Sequence, residues 1–157
     1  MFREMRRIRQ QMSEEECLTV LQREPRGVLA VLGDEDYPYT VPMDHVYQDG
    51  VLYFHCAKEG HKLDAIRRHD KVTYCVLDKG EKRDPEDWAL WFRSVVVFGR
   101  IREIRDEEER IRRLRALGNK YNPSPDQVEE DIAQNAHRAC ILALEPEHIT
   151  GKLVHEK

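Results

Sequence analysis

The residues whose types and spacing best suit them to chemistry form a short turn, Gly60-His61-Lys62, between an apolar strand segment and a basic helical segment. The first turn of a helix leaves backbone amides without acceptors and carries the positive end of the helix dipole. Gly60 allows close approach of the backbone, and His61 and Lys62 add cationic donors beside those amides. The turn therefore predicts a phosphate-binding site. On spacing alone, a solvated turn that opens a helix is an equally good interpretation.

Two neighbouring strand segments bear on this site. Pro42 interrupts an otherwise regular strand pattern. Because proline cannot donate a ladder hydrogen bond, its strand is predicted to lie at a sheet edge or to face something other than a strand, and a flat ligand could lie along it. His55 alternates with core positions of the next strand, where a satisfied, half-buried histidine is a commoner role than a ligand. Arg67 and Arg68 are predicted to form a solvated helix face.

The elements that must position these residues are mostly hairpin-connected strands. Ser13 and Glu16 predict a capping box for a helix over residues 13–24. Residues 27–57 carry apolar runs separated by GDED and QDG, which predict three successive antiparallel strands. The remaining predicted elements are a helix over His61–Arg68, a strand over 71–77, a strand over 88–104 with Gly99 at a bend or bulge, helices over 106–121 and after Ser124, and a last strand within 138–152. This order predicts a mainly β, α+β fold, a Greek-key antiparallel barrel with flanking helices.

The composition argues against several classes of partner. The 157 residues suit a single domain over 1–157, in which residues 1–12 are expected to be disordered or arm-like. With 26 basic and 30 acidic residues, the net charge of -4 predicts no nucleic-acid or membrane partner. The four cysteines lack the short spacing of zinc ligands, so we expect free thiols, no metal site and a cytoplasmic location. No apolar run approaches the length of a membrane span.

Three segments together, YPYTVPM, LYFHCAKEGHK and SVVVFG, resemble the pyridoxamine 5'-phosphate oxidase-like flavoproteins, in particular their nitroimidazole-resistance branch. The resemblance covers roughly residues 13–152. It implies the FMN-binding split-barrel fold and a homodimer with the flavin at its interface, FMN being the expected cofactor and FAD the alternative. The implied cofactor-binding residues are Thr40, Val41, Pro42 and Met43 beside the ring, His55, Cys56 and Ala57 along the ring and ribityl chain, Gly60, His61 and Lys62 at the phosphate, and Arg93 and Ser94 from the partner subunit.

The activity implied by the resemblance is that of a flavin-dependent oxidoreductase reducing small molecules such as nitroaromatics. No catalytic side chain is required, because the cofactor carries the redox chemistry. An aromatic side chain could line the substrate pocket, the candidates being Trp88, Trp91 and Phe92. Packing in the core of a dimer interface is the commoner role for such aromatics.

Three alternatives stay open at this point. Pyridoxamine 5'-phosphate oxidase activity is the first, but the sequence shows no counterpart of the Arg- and His-bearing C-terminal extension of those enzymes. The second is a non-catalytic module that binds haem or flavin, with His55, His61 or His148 as the haem ligand. The third is a degenerate fold kept only for dimerisation or for contact with another protein.

Overall fold

The strands of the protein form one curled antiparallel sheet. The computed structural model describes residues 1–86 and 88–155, so that residues 87, 156 and 157 of the predicted domain lie outside the described part. Within these ranges seven strands hydrogen-bond in the order β2-β1-β5-β6-β7-β4-β3. Their bounds are β1 Arg26–Leu32, β2 Pro38–Asp44, β3 Val46–Gln48, β4 Val51–Ala57, β5 Lys71–Leu77, β6 Phe92–Glu103 and β7 Ala139–Val154. The sheet rolls up until β2 and β4 approach each other without pairing. The predicted split barrel with flanking helices is confirmed.

Helix starts follow local capping chemistry. The helices are α1 Glu14–Arg23, α2 His61–Arg68, α3 Glu107–Tyr121 and α4 Pro125–Asn135. At α1 the Ser13 hydroxyl accepts from the Glu16 amide and the Glu16 carboxylate accepts from the Ser13 amide, which is the predicted capping box. Asp106 and Ser124 accept from the third amide of α3 and α4 in the same way. The predicted helices therefore begin where their caps place them.

The long strand β6 departs from the prediction at its start and agrees with it at its bulge. It begins at Phe92 rather than at residue 88, because Trp91 makes an isolated bridge with Glu81 and Trp88 is fully exposed. Its register against β7 shifts between Phe98 and Gly99. At Gly99 an added Cβ would overlap the carbonyl oxygen of Glu145 on the facing strand. The predicted bulge is confirmed, and close approach of the partner strand requires glycine there.

The alternation of β4 separates two packing layers. Leu52 and Phe54 are fully buried in the main core, inside the barrel, whereas Tyr53 is buried in a second cluster with Leu117 of α3. Since successive strand residues point to opposite faces, the end of β4 presents one side chain to the barrel and the next to the α3 side. This alternation decides what each residue of the predicted site faces.

Residues 1–12 lie along β7. The Met12 amide donates to the Gly151 carbonyl oxygen at 2.9 Å, and the Gln10 side-chain amide donates to the His155 carbonyl oxygen at 2.7 Å. The Phe2 ring stacks over His148 with ring centroids 4.6 Å apart. These contacts hold the segment as an ordered arm. None of the described helices has the length and apolar character needed to cross a membrane.

Candidate functional site

One wall of the candidate site is the edge strand β2. In the described part of the chain β2 pairs on one side only, with β1. Met43 is buried in the core and Val41 packs against it, while Thr40 and Pro42 are exposed on the other face. The edge position predicted from Pro42 is confirmed. A proline is tolerated in such a strand, because an edge strand leaves alternate backbone amides without a ladder partner.

The opposite wall is the end of β4. His55 is exposed and points to the same side as Tyr53, towards α3 and α4, whereas the half-buried Cys56 points to the same side as Phe54, into the end of the barrel. Ala57 is exposed at the last position of the strand. Because β2 and β4 approach each other without pairing, the rolled sheet brings the two predicted ring-lining segments near each other.

The turn into α2 lies beside the start of β2, where the His61 ring meets Tyr39. Gly60 is the N-cap with a φ of 128°, a backbone conformation that favours glycine, and no atom lies within 4 Å of where a Cβ would stand. The Gly60 carbonyl oxygen accepts from the amides of Leu63 and Asp64. The two preceding amides, of His61 and Lys62, have no intrahelical acceptor, and no described side chain caps them. The start of α2 therefore offers open backbone donors.

His61 is tied to the connection between β1 and β2. Its ring stacks on Tyr39 with centroids 4.2 Å apart, and its Nε2 accepts a 3.2 Å hydrogen bond from the Asp34 amide. An amide can only donate, so the neutral imidazole carries its proton on Nδ1. His61 thus offers one remaining donor, Nδ1–H, and its other ring nitrogen holds the connection in place beside α2.

The charges of α2 are neutralised unevenly. The Arg67 guanidinium donates to the Glu103 carboxylate at 2.7 Å, and that of Arg68 donates to Asp34 at 2.7 Å. Both arginines are exposed, as predicted for a solvated helix face. Lys62, by contrast, makes no ion pair or hydrogen bond with any residue of 1–86 or 88–155. The half-buried Lys62 is therefore the cation that α2 leaves available for an anion.

A cavity of about 400 Å³ lies on the α3 side of His55. It is a half-open pocket between α3, α4 and the ends of β2 and β4, and its apolar lining includes Leu114, Leu117, Val128 and Ile132. Asp44, Gln127 and His55 contribute polar groups. The volume and the mixture of apolar walls with a few polar groups are typical of a small-molecule site.

Comparison with known proteins identifies the family. Residues 13–153 match the profile described as pyridoxamine 5'-phosphate oxidase. The chain belongs to the pyridoxamine 5'-phosphate oxidase family. This result confirms the resemblance drawn from the YPYTVPM, LYFHCAKEGHK and SVVVFG segments. A comparison with curated proteins finds no significant match.

Solved structures share the fold of this family member at low sequence identity. A candidate 5-nitroimidazole antibiotic resistance protein from Bacteroides thetaiotaomicron superposes with a TM-score of 0.77 at 18% identity, covering 90% of this chain and 85% of that chain. An FAD-binding protein from Mesorhizobium loti gives 0.67 at 23%, covering 92% and 97%. An FAD- and haem-binding protein from Mycobacterium smegmatis gives 0.75 at 20%, covering 94% and 74%. At these identities the likeness establishes the fold.

A buried histidine that the sequence did not point out anchors the wall formed by β2 in this pyridoxamine 5'-phosphate oxidase family member. His45, directly after β2, is fully buried. Its Nε2 donates to the Leu21 carbonyl oxygen at 2.7 Å, and its Nδ1 lies 2.8 Å from the Tyr74 hydroxyl. Burial, with the nearby Lys120 ammonium, lowers the pKa of His45 to about 4. The ring is therefore neutral at pH 7, and its Nδ1 shares the single Tyr74 hydroxyl proton with the Met43 carbonyl oxygen.

The hydrogen-bond network around His45 and Tyr74 also contacts Met43, one of the predicted site residues. The Tyr74 hydroxyl also lies 2.8 Å from the carbonyl oxygen of Met43, and the Lys120 ammonium donates to the His45 carbonyl oxygen at 2.8 Å. Burial lowers the pKa of Lys120 to about 8 and raises that of Tyr74. These contacts fix the end of β2, where Met43 lies, against the barrel and α3. No spacing in the sequence joins His45 to Tyr74, since their contact depends on the roll of the sheet.

Arg93 and Ser94 lie away from the candidate site within one protomer. They open β6, which is separated from β2 by β1 and β5 and from β4 by β7. The Asp78 carboxylate accepts from the Arg93 amide at 2.9 Å and from its guanidinium at 3.3 Å. Ser94 pairs with Leu77 on one side and with Lys152 on the other. Arg93 and Ser94 could therefore contact a flavin only in a second copy of the chain, as the resemblance implies.

The aromatic residues suggested as substrate walls have other surroundings. Trp88 is fully exposed. Trp91 stacks on His155 with centroids 4.5 Å apart, and the Arg83 guanidinium lies 4.0 Å above its ring. Phe92 begins β6 opposite Val154. Within the protomer, then, the cavity beside His55 is the better place for a small ligand.

Proposed function

We propose that this protein binds a flavin in the cleft between β2, β4 and the start of α2, and uses it to reduce small molecules such as nitroaromatics. One observation carries the proposal. The Lys62 ammonium, which has no partner among the described residues, and the uncapped amides of α2 lie beside the start of β2, whose outer edge is unpaired in the described part of the chain. A phosphate at one end and a flat ring along the wall suit this arrangement.

The residues present fit a flavin. Gly60 leaves space beside the helix start, because nothing lies within 4 Å of an added Cβ. The free edge of β2 offers unpaired backbone groups to the polar edge of a flavin ring. Pro42 has no backbone N–H, so one position of this strand offers the ring no donor. The helix start supplies amides and a positive dipole end to a phosphate. FMN is the proposed cofactor, and the FAD-binding proteins of the same fold support FAD as the alternative.

The chain's own part in the reaction is to bind, orient and shield. A bound flavin supplies the transfer of electrons from a donor to an acceptor. The Lys62 ammonium offsets phosphate charge, the His45–Tyr74 network holds Met43 and the rest of the β2 wall in position, and the apolar walls of the cavity beside His55 exclude water. The cavity, of about 400 Å³, has room for a small planar acceptor such as a nitroimidazole.

Flavin retention is the first prediction from this proposal. Purified protein mixed with excess FMN, or with FAD in a parallel sample, and then desalted is expected to keep a visible flavin spectrum. The flavin-loaded protein is then expected to oxidise a reduced nicotinamide when a nitroimidazole is present. A colourless protein after both additions would contradict the proposal, and a Soret band after haem addition would favour a haem-binding module.

A homodimer belongs to the same proposal, and an exposed apolar sheet face supports it. On the face of β1 and β5 that points away from the barrel core, Val28, Leu32 and Leu77 are exposed. Ala30, Cys75, Val96 and Phe98 lie half-buried on the same face. A second copy packed here would cover this surface and would bring in a second β6 with its Arg93 and Ser94.

A cytoplasmic location is part of the same proposal. All four cysteines are free thiols, which suits the reducing cytoplasm.

The dimer is tested by charging that face. Val28→Arg places a cation in the proposed interface and is expected to convert a dimer into a monomer, because a desolvated, unpaired charge is strongly unfavourable. Ile8→Arg, which changes a still more exposed aliphatic residue on the N-terminal arm, is the control and is expected to remain dimeric. Light scattering at equal protein concentration distinguishes them. A monomeric unmodified protein would contradict the proposal.

A further inference from the structure

Two cysteines face each other across adjacent strands. In the antiparallel register of β4 and β7, Cys56 lies directly opposite Cys140. Cys140 is buried in the main core and Cys56 packs against that core, so both side chains lie on the barrel face. Opposite Cα atoms of an antiparallel pair are about 4.5–5.5 Å apart, within the roughly 4.4–6.8 Å that a disulfide needs. The register therefore places the two cysteines at a spacing that a disulfide can bridge.

The surroundings make the two thiols chemically unequal. The neighbouring Cys140 thiol lowers the pKa of Cys56 against the opposing effect of burial, and the charges of Lys62 and Arg67 act in the same direction as the thiol. The hydrogen bond to Cys56, burial and the Glu103 carboxylate raise the pKa of Cys140. The Cys140 sulfur also lies 3.8 Å from the Glu103 carboxylate. Cys56 is thus disposed to be a thiolate, and Cys140 to remain a thiol.

The other two cysteines provide an internal contrast. Cys17 is buried on the core-facing side of α1 and Cys75 lies on the outer sheet face, and burial raises the pKa of both. Cys75 pairs with Val28 and Val96 across its neighbouring strands, so no thiol faces it there. Solvent exposure alone would not make Cys56 react faster than Cys75 with a thiol reagent, since both cysteines are half-buried.

From this arrangement we propose that Cys56 and Cys140 form a redox-active dithiol site that reacts with peroxides. The Cys56 thiolate attacks one peroxide oxygen, the O–O bond breaks, and the departing oxygen takes up a proton to leave as an alcohol or water. Cys56 is then a sulfenic acid. The Cys140 sulfur attacks the Cys56 sulfur, a disulfide forms, and the hydroxyl leaves with the Cys140 proton as water. The two thiols lose two electrons, and the peroxide gains them.

The site adjoins the proposed flavin cleft but does not rest on it. Cys56 stands between His55 and Ala57 on β4, and Lys62 influences both sites. The reacting atoms are all side-chain atoms of the chain and of the peroxide. Loss of flavin binding would therefore leave the dithiol proposal intact, and unreactive thiols would leave the flavin proposal intact.

The test is oxidation of the intact protein with an equimolar amount of hydrogen peroxide, followed by N-ethylmaleimide and proteolytic mass spectrometry without reductant. A peptide pair joined through Cys56 and Cys140 is expected, with Cys17 and Cys75 labelled by maleimide. Before oxidation, Cys56 is expected to be alkylated by iodoacetamide at least about tenfold faster than Cys75, because the thiolate is the nucleophile. Peroxide treatment that leaves all four thiols free, or that oxidises Cys17 or Cys75 first, overturns the proposal.

Single variants separate the two roles. Cys140→Ser is expected to stop the reaction at a Cys56 sulfenic acid, which dimedone traps. Cys56→Ser is expected to leave Cys140 without a dimedone adduct. Cys75→Ser, the matched control, is expected to keep the Cys56–Cys140 link. A dimedone adduct on Cys140 in the Cys56→Ser protein would contradict the assigned roles, and the unmodified protein decides the main question should a serine variant fail to fold.

Discussion

Replacing Lys62 with alanine is expected to weaken flavin binding by roughly 10- to 150-fold. The change removes one charge-assisted hydrogen bond to a phosphate, which is worth about 1.5–3 kcal/mol. Lys62 is the suitable target because Arg67 and Arg68 are already neutralised by Glu103 and Asp34. The effect is measured by fluorescence titration of FMN into the apoprotein, at fixed ionic strength because an exposed charge interaction is screened by salt.

Two further variants make the Lys62 experiment specific. Lys82→Ala removes an exposed lysine in the connection between β5 and β6 and is expected to leave the affinity unchanged. Lys62→Arg keeps the charge and is expected to retain most of the binding. Titration with riboflavin, which has no phosphate, should show little difference between the unmodified protein and Lys62→Ala. An equal loss for riboflavin and FMN would mean that Lys62 acts on the fold and not on the phosphate.

Acidification below pH 6.5 is expected to destabilise the protein through His45. The folded state holds this histidine neutral with a pKa of about 4, against 6.5 for the free side chain. Between these values the unfolded chain binds the extra proton, so the free energy of unfolding falls as the pH falls. The loss from this one group is about 2 kcal/mol at pH 5 and about 3 kcal/mol once the pH is below 4.

Chemical denaturation at pH 7.5 and at pH 5 measures this effect. His45→Leu removes the titrating group and is expected to show about 2 kcal/mol less pH dependence than the unmodified protein over this interval. At pH 7.5 the variant is expected to be less stable by about 1–3 kcal/mol, because the buried Leu21 carbonyl oxygen loses its donor. His148→Leu changes a partly exposed histidine as the matched control. The same pH dependence in His45→Leu and the unmodified protein would rule out His45 as the cause.

Local chemistry in the sequence was sufficient to predict most of the elements and part of the site. Ser13 with Glu16 marked the start of a helix, Pro42 marked an edge strand and Gly99 marked a bulge. Each acts within a few residues or through a backbone property that has the same meaning in any fold. The turn at Gly60 belongs to the same class, since a glycine followed by cationic residues at a helix start suits an anion wherever it lies.

Only the tertiary structure decided which of those residues remain free to act. The sequence placed Arg67, Arg68 and Lys62 on one basic helix, but the fold brings carboxylates to the two arginines and leaves the lysine unpaired within the described residues. Likewise, the local pattern predicted that the strand begins at residue 88, whereas β6 begins at Phe92. Trp91 instead bridges to Glu81, a residue of the connection between β5 and β6. Partners far apart in the chain cannot be inferred from the local pattern of either one.

The His45–Tyr74 contact and the Cys56–Cys140 pair depend on long-range strand placement in the same way. Tyr74 reaches His45 because the sheet rolls, and Cys56 meets Cys140 because β7 returns to pair with β4 in one particular register. A shift of one residue in that register would separate the two thiols and turn one of them to the other face. The sequence alone determined most of the elements and predicted the kind of candidate site, and the packing of the rolled sheet determined which side chains lie together.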